Sequence, residues 1–200
     1  MPRSINFLFI FLLISCKSDG KQKNHDGEDY IIESPLSQNQ KVLNLDRDAQ
    51  IFARNDEFEK ADKLFVEALE IEPQNYVILN NYGLSQSIQM KFDSAIQLLE
   101  KSYRLSDSTY QVAASNLSKA YFAKREFEKG VNVATYALEN SKNQKLNYTL
   151  YIHRIANYAG LRDCRRSNED IKLIINEFND QSDFEKQLKQ IQKIFSHFCS

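Results

Sequence analysis

The chain has 200 residues, 42% hydrophobic and 26% charged, with a formal net charge of -1. That length supports one domain with a real core. The near-neutral balance excludes the positive surplus that non-specific nucleic-acid binding needs, so no nucleic-acid partner is expected. Five glycines and three prolines are also too few for a chain built of short strands and tight turns.

The first element runs from Ile5 to Ile14, ten apolar residues behind Arg3. Crossing a hydrocarbon core of about 30 Å takes about 20 residues, so this run has the length of an export signal instead. It ends in Leu13-Ile14-Ser15-Cys16, which resembles the bacterial lipobox. The resemblance implies cleavage before Cys16, a diacylglycerol on its sulfur and often a fatty acid such as palmitate on its new amine. Two acyl chains make a stable anchor. The alternative is an ordinary signal peptide with an incidental cysteine. Lys17 follows; one bacterial sorting rule retains lipoproteins with Asp at that place in the inner membrane. The expected location is therefore the cell envelope, and the outer membrane before the inner.

Residues 16–41 are polar and of mixed charge, interrupted only by Tyr30-Ile31-Ile32. Such a segment cannot bury enough surface to offset its ordering entropy and reads as a flexible tether.

Beyond residue 41 the pattern becomes helical and repeats. Phe58, Phe92 and Phe127 stand 34 and 35 residues apart, and Ala61, Ala95 and Gly130 keep that step. So do Ala49, Gly83 and Ser118, and Phe52, Gln86 and Tyr121. Small side chains recur where two helices cross closely; larger ones recur on the packing face. Each unit is thus two antiparallel helices that cannot cover their apolar face alone, and stacked neighbours cover it. The units resemble tetratricopeptide repeats, at residues 42–75, 76–110 and 111–144, with a degenerate fourth at 145–179. That fourth unit carries Tyr158, Ile171, Ile174 and Ile175. The expected fold class is an all-α solenoid of three to four such repeats. Asp56-Glu57-Phe58-Glu59 and Ser182-Asp183-Phe184-Glu185 both read as capping boxes. The second opens a last helix, residues 180–200, whose stripe of Phe184, Leu188, Ile191, Phe195 and Phe198 suits a terminal cap. An amphipathic helix on a membrane or a partner is the alternative.

Departures from the family pattern are Leu45, Leu79 and Ala114 in place of a large aromatic, and Gly130 where alanine is usual. In this family the first helices line a groove for a peptide or a partner's helix. Mapped here, the groove holds Asp46, Gln50, Arg54, Asn80, Asn81, Leu84, Ile88, Ser115, Asn116, Lys119 and Phe122. The three asparagines have the donors and acceptors to grip a peptide backbone, or they are merely solvated polar groups. A subfamily that clamps a chaperone's terminal carboxylate needs basic residues that are missing here: of its set only Asn81 matches, and Asp46 would repel the ligand.

No catalytic spacing surrounds His25, His153 or His197, and no phosphate loop or nucleophile elbow occurs, so no enzyme activity and no cofactor are expected. Cys164 and Cys199 either pair in an oxidising envelope or stay as thiols, with Cys164 buried as a small apolar residue. A zinc site from His153, Cys164, His197 and Cys199 is a third arrangement, and a small metal-binding protein or hydrolase the function it would serve. The sequence reads as a membrane-anchored, non-enzymatic docking surface for another envelope protein. The runner-up is a fixed subunit of an outer-membrane assembly or cell-wall machine.

Overall fold

The computed structural model describes residues 22–23, 29–30, 37–141, 144–180 and 184–199. The expected signal peptide, Cys16 and most of the tether lie outside the described residues. The chain divides into Met1–Glu33 and Ser34–Ser200. In the first unit β1 (Gln22–Lys23) pairs antiparallel with β2 (Asp29–Tyr30).

The second unit is all-helical among its described residues. Its helices are α1 (Gln40–Arg54), α2 (Phe58–Ile71), α3 (Tyr76–Ile88), α4 (Phe92–Leu105), α5 (Gln111–Ala123), α6 (Phe127–Glu139), α7 (Gln144–Gly160), α8 (Cys164–Glu177) and α9 (Phe184–Cys199). They pack as consecutive pairs, α1 on α2 through α7 on α8, with α9 on α7 and α8. First helices touch one another in the order α1, α3, α5, α7, α9. The second helices α2, α4, α6 and α8 touch only first helices. A layer in mutual contact beside a layer that fans apart is a curved, solenoid-like array with the first helices inside.

Each first helix ends in the same way. Asp56, Met90, Arg125 and Arg162 take left-handed backbone, with φ of 61°, 61°, 62° and 59°. The next residue's N–H then donates back to the helix: Glu57 to Phe52 at 2.9 Å, Lys91 to Gln86 at 3.0 Å, Glu126 to Tyr121 at 2.9 Å and Asp163 to Tyr158 at 2.9 Å. This is the Schellman closure, here built without glycine, although each such residue costs about 1–2 kcal/mol. The turn also corrects one expectation. With Asp56 left-handed, the N-cap of α2 is Glu57 and no side chain caps it, so the Asp56–Glu59 capping box does not form. Among the described residues the side-chain caps are Asn39 on α1, Asn75 on α3 and Asp163 on α8. The other expected box, residues 182–185, begins outside the described residues.

The helices of a pair cross on small residues. Ala49 and Ala61 meet with no exposure, and Ala95 is equally buried. In the third pair Ser118 Oγ donates to the Gly130 carbonyl at 2.8 Å; in the fourth, Ser167 Oγ donates to the Ile155 carbonyl at 3.1 Å. Ile155 and Ser167 each lie 37 residues beyond Ser118 and Gly130, so the same crossing is bonded from the opposite side. Gly130 is required by a close approach: a Cβ there would sit 2.2 Å from Asn157 Oδ1. Asn157, with no exposed surface, donates to the Ser118 carbonyl at 3.1 Å and the His153 carbonyl at 2.8 Å. The glycine that breaks the family pattern thus makes room for an amide from the next pair.

Val42, Phe65 and Ile78 fill the core between the first two pairs, where Tyr82 stacks on Phe65 at 5.3 Å. Burying a side chain such as Phe65 contributes about 1.5–3 kcal/mol. Leu117, Tyr121 and Leu150 continue the core. Ile171 and Ile174 are buried, but Ile175 is 38% exposed and points away from it. The folded part begins before residue 42, since Ser37 is buried and donates to Glu72 Oε1 at 2.6 Å.

Candidate functional site

The inner layer places the mapped groove residues in three groups. Asp46, Gln50, Asn80, Asn81 and Asn116 form one hydrogen-bonded ladder across α1, α3 and α5. Gln50 Nε2 donates to Asp46 Oδ2 at 2.9 Å and Asn81 Nδ2 to Asp46 Oδ1 at 3.0 Å. Asn80 Nδ2 donates to Asn81 Oδ1 at 3.2 Å, and Asn116 Nδ2 to Asn80 Oδ1 at 2.9 Å. Asp46, Asn80 and Asn116 are buried. The three asparagines expected to grip a peptide or to sit in water are bonded in this ladder to one another and to Asp46. Burial pushes the Asp46 carboxyl above its usual range, and the bonds from Asn81 and Gln50 pull it back only in part.

The second group flanks the ladder. Leu84 is half-buried, Ile88 is 41% exposed and Arg54 is exposed. Ser115 is buried, and its Oγ has no hydrogen-bond partner. Lys119 is half-buried. His153 on α7 is buried and neutral: burial, with the Lys119 charge nearby, pushes its pKa down to about 3.

The third group is Phe122, which belongs to an aromatic cluster rather than to an open groove. Its ring lies 5.6 Å from that of Phe127 and 6.2 Å from that of Phe198 on α9. The cluster closes over the end of α7 at Gly160, where a Cβ would meet Phe127 Cδ1 at 2.5 Å. At its other end α9 brings Phe184 to 6.5 Å from Tyr148. Phe184, Ile191 and Ile194 are buried and Leu188, Phe195 and Phe198 half-buried, so α9 packs its apolar face on this chain. No helix among the described residues is long and apolar enough to cross a bilayer.

Cys164 and Cys199 form a disulfide, with 5.6 Å between Cα atoms, that ties the start of α8 to the end of α9. The arrangement with Cys164 as a buried thiol is therefore corrected. The four-residue zinc set loses both sulfurs to this bond, and its His153 is buried elsewhere. Among the described residues no other cluster suits a metal.

The sequence did not point to an ion pair in the fourth unit. Arg154 donates to both carboxylate oxygens of Asp170 at 2.8 Å, and to Thr135 Oγ1 at 3.3 Å. Its guanidinium lies 5.1 Å from the Tyr151 ring and 5.8 Å from that of Tyr158. Burial raises the Asp170 pKa and the bonds from Arg154 pull it back only in part, so the carboxyl stays above its usual range. The two residues lie on separate helices, 16 residues apart, so no spacing within one helix could have paired them.

No known family model matches this chain, and no curated protein compared with it does either.

Proposed function

We propose that this is a lipid-anchored protein of the bacterial cell envelope whose tetratricopeptide-like array docks another envelope protein without catalysing a reaction. The observation that carries the docking reading is the inner layer. Its polar ladder is satisfied before any partner arrives, so the surface holds its shape and a partner need not order it. Buried groups bonded to one another make a platform; a catalytic set would aim a base and a nucleophile at a common point. Envelope residence draws support from the Cys164–Cys199 bond, because such bonds persist in oxidising compartments. Anchoring rests on Leu13-Ile14-Ser15-Cys16 alone.

A photo-crosslinking residue at Leu84 or Ile88, in cells making the full chain, should trap a discrete protein adduct. The same residue at Ile175, on the outer side of α8, should not. Equal labelling at all three positions, or none, refutes the docking reading. Cys16→Ala should move the chain from the membrane fraction to the soluble fraction. Recovery of the trapped partner at one-to-one stoichiometry without crosslinking would mark a fixed subunit of a machine instead of a docking protein.

A further inference from the structure

The two sulfurs of the Cys164–Cys199 bond sit at opposite electrical ends of their helices. Cys164 is the first residue of α8, and Cys199 is the last of α9. Aligned peptide dipoles leave about half a positive charge at a helix start and about half a negative charge at its end. The N–H groups that open α8 therefore favour a negative charge on Cys164 Sγ, and the carbonyls that close α9 oppose one on Cys199 Sγ.

Side chains sharpen the difference. Arg162, Arg165 and Arg166 flank Cys164 in the chain, and the first turn of α8 holds no acid. The carboxylate just before it, Asp163, accepts from the Arg166 N–H at 3.0 Å and from Arg166 Nε at 2.5 Å. Arg165 Nη1 donates to Glu169 at 2.8 Å. At Cys199 the last turn of α9 carries His197, one imidazole against three guanidiniums. The Arg162 carbonyl, 3.5 Å from Cys164 Sγ, acts the other way and favours a protonated thiol. An S–H is a weak donor, however, whereas the helix start and the arginines act on a full charge. Both cysteines are half-buried, so each keeps some surface for an attacking group.

We propose that Cys164–Cys199 is a thiol–disulfide exchange site for a protein dithiol, with Cys199 the sulfur attacked and Cys164 the sulfur released. A thiolate of the dithiol attacks Cys199 Sγ and forms a mixed disulfide. The bond between the two cysteines breaks, and its electron pair leaves on Cys164 Sγ as a thiolate. The dithiol's second sulfur gives its proton to water and attacks its own first sulfur. Cys199 then leaves as a thiolate and takes up a proton. The chain's bond gains two electrons, and the dithiol loses them in becoming a disulfide. The more acidic thiol leaves faster, and a stabilised reduced form makes a disulfide easier to open. Once the bond opens, the last turn of α9 is held by packing, including the Phe198 ring on Phe122 and Phe127. Neither docking nor a lipid anchor is needed for this exchange.

The oxidised full chain in detergent micelles is mixed with a Cys-x-x-Cys dithiol protein whose second cysteine is replaced by serine, which traps the mixed disulfide. The reaction is stopped with acid at short times, and peptic mapping by mass spectrometry locates the adduct. It should lie on Cys199 about tenfold over Cys164. In the reduced chain, alkylation of Cys164 should reach half its maximal rate at a lower pH than alkylation of Cys199. If reduction unfolds α9, the adduct on the oxidised chain still decides. Equal adducts on both sulfurs, an adduct chiefly on Cys164, or the reverse pH order in a folded reduced chain overturns the assignment of roles. Absence of any adduct overturns the exchange site itself.

Discussion

The first two helix pairs and the fourth follow one geometry with different chemistry. In α1–α4 the crossings are alanine against alanine or glycine, and the second helices present leucine to their partners. Leu64, Leu98 and Val133 keep one register position through the first three pairs, and 37 residues beyond Val133 stands Asp170. Its partner Arg154 likewise replaces Leu117. The fourth pair thus puts a buried ion pair where its neighbours put apolar contact, and adds an amide at Asn157 and a disulfide to α9. Backbone geometry, as seen in the four matching turns, outlasts the side-chain pattern by which a repeat is recognised. The fourth pair is the one that α9 packs against, and it is here that directional bonds and a covalent tie appear.

Changes that break the comparison should act unequally. Asp170→Ala leaves Arg154 buried without its anion and should cost about 3–5 kcal/mol in denaturant unfolding, whereas Arg154→Leu with Asp170→Val, restoring the apolar register, should be neutral or stabilising. If the single variant costs under about 1 kcal/mol, the pair is solvated and the contrast is lost. Cys164→Ser with Cys199→Ser should cost about 2–4 kcal/mol, and should let α9 exchange its amide hydrogens before α1–α6 do. Gly130→Ala should cost about 1–3 kcal/mol through the clash with Asn157, and Asn157→Ala in the same chain should recover most of it. Absence of that recovery would detach Gly130 from Asn157. The last change is in pH. The folded pKa of His153 is depressed, so its contribution is present above the unfolded value of about 6.5 and is lost as pH falls toward about 3. Stability should drop by up to about 1.4 kcal/mol per pH unit in that window, and His153→Gln should flatten the slope. Asp46 and Asp170, whose pKa values are raised, act in the opposite sense near the carboxylate range, so the slope is best read above about pH 4.5.

Much of this array is legible in the residues and some of it is not, for physical reasons. The period, the small-residue crossings and the apolar stripe of the last helix are properties of one helix or one spacing, and a sequence displays them. The turns are not, because Asp56, Met90, Arg125 and Arg162 share a backbone conformation and no side-chain chemistry; the helix crossing imposes it. Nor is the ladder, since Asn116 meets Asn80 only when α5 lies against α3 in one register. Gly130 looked like a blemish in the repeat until Asn157 occupied the space it leaves. The bond between Cys164 and Cys199 needed the path of α9, and Phe122 looked available until that same path brought Phe198 to it.

The disulfide has a mechanical consequence. It spans 35 residues and closes α8 and α9 into a covalent ring. Under tension applied through the two ends of the chain, that ring passes the load from sulfur to sulfur, and the about 120 Å of slack that 35 extended residues would release stays locked inside it. Reduction would return that length to the chain.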